Sequence, residues 1–288
     1  MLVIIGLVVV TVSVFVGFAL AGGPVLLILQ PIELMMIAGS AAGTLLIGSP
    51  PAVLRQLVRQ MTASFKGVPF TKALYLDCLQ LVYELLVKAK KSGLIALERD
   101  LADPAASSIF TAHPAVLAHH EVVVFTTEAL GMLVDGTMRP EDFEVVLDAH
   151  LETHHEEEKK PANILAKVGD TLPGLGIVAA VLGIVITMQH VDGKPEEVGH
   201  HVAVALIGTF MGILLSYGYI QPLAANLEEQ ASAGTRFLHC IKNALVAFAR
   251  GAPPIVAVEV ARHVIFSDER PTAAELADSC RNSGRNSS

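Results

Sequence analysis

Tryptophan is absent from this 288-residue sequence, and aromatic residues make up only 5% of it, yet 52% of its residues are hydrophobic. With a positive mean hydropathy as well, the composition departs from that of an ordinary soluble globule. Basic residues are also scarce: 20 Lys and Arg stand against 28 Asp and Glu, a formal net charge of −8. Nucleic-acid binders present basic surfaces to phosphate, and no basic stripe occurs here, which excludes that class. Only three cysteines are present, Cys78, Cys240 and Cys280, and their spacing suits neither a disulfide framework nor a zinc site. They read as reduced cytoplasmic thiols. Glycine-rich phosphate loops and Ser-His-Asp constellations are missing too, so direct ATP use and triad hydrolysis have no support and the chain does not read as an enzyme.

The apolar residues gather in two pairs of runs that flank a long polar stretch. Residues 2–21 hold no charge, enough to cross a hydrocarbon core as a helix. Ala19-Leu20-Ala21 offers the small-residue pattern of a signal cleavage site, but no Lys or Arg precedes the run, and a membrane span is the expectation. Gly22-Gly23-Pro24 breaks this helix, and a second run covers residues 31–47, ending at Gly48-Ser49-Pro50-Pro51. Pro31 suits a first helical turn, and Glu33 is placed to face the positive helix end as a cap at the membrane edge. A third span is expected at residues 172–188 and a fourth at 202–220, with a polar turn at 189–201.

The sequence thus predicts an all-α integral membrane protein with four transmembrane helices and a large helical cytoplasmic domain between the second and third. Its parts are 1–50, transmembrane helices 1 and 2; 51–168, the cytoplasmic domain; 169–222, helices 3 and 4; and 223–288, a C-terminal helix followed by a disordered tail from residue 279. Arg55, Arg59, Lys66, Lys159, Lys160, Lys167 and Arg236 flank the central domain and the C-terminal side, which places those segments and both termini in the cytoplasm. In the central domain, Leu74, Leu81, Leu85 and Leu86 recur at helical spacing.

No span holds an ionisable side chain in its interior on this reading, whereas proteins that carry protons through the bilayer usually place a titratable group there. Another polypeptide would have to supply it. Small residues recur at four-residue spacing instead: Gly39 and Gly43, Gly176 and Ala180, and Gly208, Gly212 and Ser216. Such stripes let helices approach closely in lipid, either within the four-helix unit or against copies and partners. Pro173 and Pro222 stand at the cytoplasmic ends of the third and fourth spans, where proline either starts or stops a helix or forms a hinge. His150, His154 and His155 precede a run of glutamates, but Glu152 is two residues beyond His150, which breaks the metalloprotease pattern. A solvated acidic helix face is the expectation, with no metal.

The segment Val168-Gly169-Asp170-Thr171-Leu172-Pro173-Gly174-Leu175-Gly176-Ile177-Val178-Ala179-Ala180-Val181 resembles the third-span motif of the MotA family of flagellar stator subunits. Gly208-Thr209-Phe210-Met211-Gly212-Ile213-Leu214-Leu215-Ser216-Tyr217-Gly218 resembles its fourth. Further likeness lies in Gln30-Pro31-Ile32-Glu33-Leu34 and in Ser92-Gly93-Leu94-Ile95-Ala96-Leu97-Glu98-Arg99-Asp100, so that the resemblance covers roughly residues 1–250. It implies a bacterial inner-membrane stator in which five copies surround a dimer of a single-span MotB-type partner, whose membrane aspartate binds the ion. Pro173 and Pro222 then match conformational prolines, Thr209 matches a residue lining the ion path, and Ala180 occupies a position where sodium-driven relatives tend to carry Thr, which points to H+ as the translocated ion. No cofactor is implied. Lys90 and Glu98 match the charged pair that engages the rotor switch protein FliG; Lys90-Lys91 replaces the single Arg of many relatives, leaving two candidates for the positive member. The alternative is an ExbB- or TolQ-type energiser of outer-membrane processes, a class that typically has three spans.

Overall fold

A computed structural model describes residues 2–28, 30–65, 70–136, 138–189 and 194–286, with side chains through Arg281. Lys66, His190 and Asp192 lie outside the described residues. The chain divides into two compact units, Met1–Gly67 with Glu158–Gln230, and Val68–Glu157 with Ala231–Ser288. All regular structure among the described residues is helical.

The membrane unit begins with α1 (Leu2–Leu20), then a single turn at Val25–Ile28, α2 (Pro31–Gly48) and α3 (Pro51–Ser64). The glycine-proline breaks separate these helices because proline accepts the first helical turn but cannot continue a preceding one. Among the described residues, four helices are long and apolar enough to cross a membrane. α1 buries none of its residues, so its apolar surface is available to lipid or to other chains. α2 turns Glu33, Ile37 and Ala41 inward. Amphipathic α3 carries exposed Arg55 and Arg59 and seats Leu57 against Ala162, Leu165, Ala224 and Leu227. Gln56 and Gln60 both donate to the Glu158 carboxylate, at 2.8 Å each.

The second unit is built around α4 (Lys72–Ser92), whose N-terminus is capped by Thr71 accepting from the Leu74 amide. α4 buries Leu74, Tyr75, Cys78, Leu79, Leu81, Val82, Leu85, Leu86 and Ala89, too broad a face for one partner. α5 (His120–Val134), α6 (Pro140–Met188), α8 (Gln221–Ala249), α9 (Pro254–Arg262) and α10 (Ala273–Asn286) supply the rest of this core, including Phe125, Phe143, Phe237 and Leu245. Each fully buried leucine or phenylalanine contributes about 1.5–3 kcal/mol, and this cluster holds the second unit together. Between α6 and α8 lies α7 (Pro195–Ile213), followed by a π-helical segment at Leu214–Ile220. Cys78, Cys240 and Cys280 are free and buried in it, and burial pushes the Cys280 thiol up to about 12.

The tail expected to be disordered from residue 279 is instead helical through Asn286. Thr272 and Glu275 close a capping box, the Thr272 amide donating to the Glu275 carboxylate at 2.6 Å and the Glu275 amide to the Thr272 hydroxyl at 3.2 Å. Leu276 and Cys280, four apart, are buried, and Ser279 donates to Gln80.

One buried polar group shapes this core. His113 is 2% exposed; its Nδ1 lies 2.6 Å from Asp77 and its Nε2 3.5 Å from Glu84. Burial lowers its pKa, but the Glu84 and Asp77 carboxylates outweigh burial and the net direction is upward from the ordinary histidine value. A folded-state pKa above the unfolded value of about 6.5 stabilises the fold fully below that value, and the contribution is lost as pH rises through the folded pKa. Thermal unfolding of the wild-type chain and of His113→Gln should therefore converge at about pH 9 and diverge at about pH 6, with wild type the more stable. Equal separation of the two at both pH values would refute the charged pairing.

Candidate functional site

In the membrane unit, α6 and α7 approach backbone to backbone. A Cβ added to Gly176 would lie 2.6 Å from the Gly208 carbonyl oxygen, and one added to Gly212 would lie 2.6 Å from the Leu172 carbonyl oxygen. No real Cβ tolerates such distances, so glycine at Gly176, Gly208 and Gly212 is what permits the crossing. Ala180 continues the same face of α6 and is buried, with its amide 3.0 Å from a Cβ built on Gly208. Thr209, next to Gly208, is half-buried. The structure thus brings Gly176, Ala180, Gly208, Thr209 and Gly212 into one neighbourhood, within this chain.

Pro173 neither starts nor stops a helix: α6 runs through it from Pro140 to Met188, with Pro161 and Pro173 both internal. Pro173 leaves the Gly169 carbonyl without its usual amide donor. Pro222 lies in the first turn of α8, just after the π-helical segment, where the Gln221 amide donates to the Ser216 carbonyl five residues back. A proline ring would press on the carbonyl four residues before it, and a widened turn is the local way to accommodate it without breaking the helix. Ser216, inside the widened turn, is fully buried, and its hydroxyl has no hydrogen-bond partner. Tyr219 in the same turn shares a 2.9 Å hydrogen bond with Thr11 of α1.

Gln221, which sequence reading did not single out, links the two proline-bearing stretches. Its amide nitrogen donates to the Ala166 carbonyl at 3.2 Å and to Asp170 at 2.6 Å. The side chain also closes over Gly169, whose missing Cβ leaves room for it. Only the adjacency of Gln221 to Pro222 could have marked it in the sequence.

Glu33 differs from the expected cap. It is 5% exposed, and its Oε2 is buried without a hydrogen-bond partner. A Cβ on Gly208 would stand 2.7 Å from that oxygen. The side chain therefore occupies the space that Gly208 leaves open, and an ionisable group does lie inside the helical bundle. Periodicity could not reveal this, because a first-turn glutamate looks the same whether it turns to the helix end or to a neighbouring helix.

In the second unit, Lys90 and Lys91 end α4 and are exposed. Gly93, at φ +86°, turns the chain into a 3-10 turn at Leu94–Leu97 and a short helix at Glu98–Ala102, with Glu98 and Arg99 exposed. The turn keeps its place through Asp100, 6% exposed, which accepts from Lys88 at 2.5 Å and from Ser107 at 2.7 Å. Three basic side chains, Lys90, Lys91 and Arg99, and the acidic Glu98 are thus displayed on and beside one short, clasped segment. The His-rich stretch is used in packing: His150 stacks edge-on against Phe125, His154 pairs with Glu121 at 3.7 Å, and His155 meets the Thr235 hydroxyl at 3.0 Å.

A model of the motility protein A N-terminal region matches residues 4–93, and one of the MotA/TolQ/ExbB proton channel family matches residues 109–237. Motility protein A of Escherichia coli (strain K12) is 37% identical over 281 residues, covering 98% of this chain and 95% of that protein. The chain belongs to the motility protein A family. Chemotaxis protein LafT of Vibrio parahaemolyticus is 36% identical over 94% of this chain and 95% of its own length. The structure of C. jejuni MotAB gives the same fold, with a TM-score of 0.77 over 92% of this chain and 96% of that one at 21% identity. As a member of this family with four apolar helices, the chain is an inner-membrane protein.

Two substitutions separate the linkages described above. Gln221→Ala should leave the membrane helices assembled, as judged by the amount of chain in membranes, while weakening the coupling of the two proline sites and slowing motility. Unchanged swimming speed would remove Gln221 from the working parts. Asp100→Ala exposes Lys88 and Ser107 to lost hydrogen bonding and should cost about 1–3 kcal/mol locally. Limited proteolysis should then cut within residues 94–103, and a wild-type cleavage pattern would show that the clasp is dispensable.

Proposed function

We propose that this chain is the flagellar stator subunit that, with a MotB-type single-span partner, conducts protons and converts their flow into torque on the rotor. The observation that carries the reading is full-length similarity to motility protein A, at 37% identity over 98% of the chain. The third and fourth spans support it, since their packed faces contain glycines, Ala180, Thr209 and Ser216 but no acid, leaving a membrane aspartate for the partner to supply. In this mechanism, protonation of that aspartate removes its charge, and copies of this chain, five in the complex, step around the partner dimer. Pro173 and Pro222 give the helices the local freedom to do so, because each interrupts the hydrogen-bond ladder without ending the helix. Lys90 or Lys91, with Glu98, transmits the step to a charged surface of FliG. Both termini face the cytoplasm, a placement supported by the basic residues Arg55, Arg59, Lys159, Lys160, Lys167 and Arg236 near the ends of the spans.

The energiser reading shares the channel family matched at residues 109–237. The motility protein A N-terminal match at residues 4–93, which carries the first two spans, favours the stator.

Deleting the gene and scoring flagella and swimming in the same cells tests the reading. Intact flagella that do not rotate are expected, with rotation restored by the wild-type chain but not by Pro173→Ala or Pro222→Ala. Reversal of Glu98 to Lys should reduce swimming, and reversal of Lys90 and Lys91 together should do likewise. Normal swimming with a leaky envelope would move the chain to the energiser class instead.

A further inference from the structure

The Glu33 carboxyl is the one acidic group that the described membrane helices direct among themselves rather than toward an end. It is 5% exposed, Oε2 has no hydrogen-bond partner, and no ion pair reaches it among the described residues. Two glycine faces hold it: Gly208 of α7, whose Cβ would come within 2.7 Å of Oε2, and Gly183 of α6, whose Cβ would come within 3.7 Å of Oε1. Thr187, one turn beyond Gly183, donates its hydroxyl to the Gly183 carbonyl at 2.8 Å and so is already engaged. An unpaired carboxylate in such surroundings is costly, and a side chain serving only to fill space would be cheaper as Gln or Leu.

The neighbouring chemistry selects the ligand. A hard metal cation takes a shell of several oxygen ligands at once, and no group of three or more His, Cys, Asp or Glu side chains that could hold a metal ion occurs among the described residues. A proton requires a single oxygen. Ala180 and Thr209, the two positions tied by resemblance to the ion path, adjoin the same Gly208: the Ala180 amide lies 3.0 Å from a Cβ built there, and Thr209 is the next residue.

We propose that Glu33 is a proton-binding site in this chain's own membrane bundle, loading the translocated proton beside Gly208 before it passes to the partner's acid. On loading, an O–H bond of a hydronium ion breaks and one forms at the Glu33 carboxyl, releasing water; on unloading, that O–H bond breaks and the proton passes through water to the partner's carboxylate. No electrons are exchanged. The proposal rests on the stator reading, and the deletion experiment decides that reading first, through paralysis restored by the wild-type chain.

In the paralysed deletion strain, Glu33→Gln keeps the size and polarity of the side chain but cannot cycle a proton. It should reach the membrane with its partner in wild-type amount and lower torque at least about tenfold, while Glu33→Asp retains a larger share. Infrared spectra of the purified complex, carrying 13C-labelled glutamate, should show a protonated carboxyl band that shifts with the label and is lost in Glu33→Gln. Wild-type torque from Glu33→Gln at external pH from about 6 to about 8 would overturn the proposal while leaving the stator reading intact. If Glu33→Gln fails to assemble, the spectrum of the wild-type complex decides: a labelled protonated band supports the proposal, and its absence at every pH tested overturns it.

Discussion

The membrane unit depends on the backbone contact between its third and fourth spans. Lipid tails are as apolar as leucine side chains, so burying hydrocarbon gives helices in a bilayer little reason to associate. Close packing and the dipoles of nearby backbone have to do so, and both require side chains to be absent where the helices cross. Gly176 and Gly212 meet at distances that any Cβ would forbid. Gly208 has a second consequence, because the space it leaves on its other side receives the Glu33 carboxyl. The same three glycines therefore fix the crossing, place Ala180 and Thr209 beside it, and admit a buried acid.

Farther along these helices the backbone hydrogen-bond ladder is interrupted at two prolines. Pro173 and Pro222 each remove a backbone donor, yet neither helix stops, since the neighbouring turns absorb the loss. The π-helical segment leaves the Ser216 hydroxyl buried without a hydrogen-bond partner, a costly arrangement. Gln221 bonds the segment that follows the widened turn to the helix that carries Pro173. A helix that is interrupted in its hydrogen bonding but tied at its sides can change pitch without separating, which suits a part that moves while its contacts persist.

The second unit is held together as soluble proteins are. Its stability comes from apolar side chains of α4 and the helices around it, and the buried His113 is accompanied by the Asp77 and Glu84 carboxylates. Its exposed charges are held on rigid supports: the Gly93 turn can be made because glycine accepts φ +86°, and Asp100 fastens the strand of chain that follows. Charge placed on such a turn keeps a fixed position, which charge on a loose loop would not.

The apolar runs, the glycine-proline breaks and the Leu74 to Leu86 spacing made four spans and a helical domain legible in the sequence, because hydrophobic length and period are local properties of the chain. The small-residue stripes and both prolines were legible as well, though not their partners. Thr272 and Glu275 already carried the signal of the C-terminal helix, but a polar, Ser-rich composition outweighed it until Leu276 and Cys280 were seen to have a surface to cover them. Tertiary structure alone decided that Gly176 meets Gly208 and Gly212, that Gln221 reaches Ala166 and Asp170, and that Glu33 turns inward to Gly208 instead of capping its own helix. Each of these is a meeting of residues distant in the chain, and a side chain's direction around a helix axis is set by what the neighbouring helix leaves empty, which no local pattern encodes.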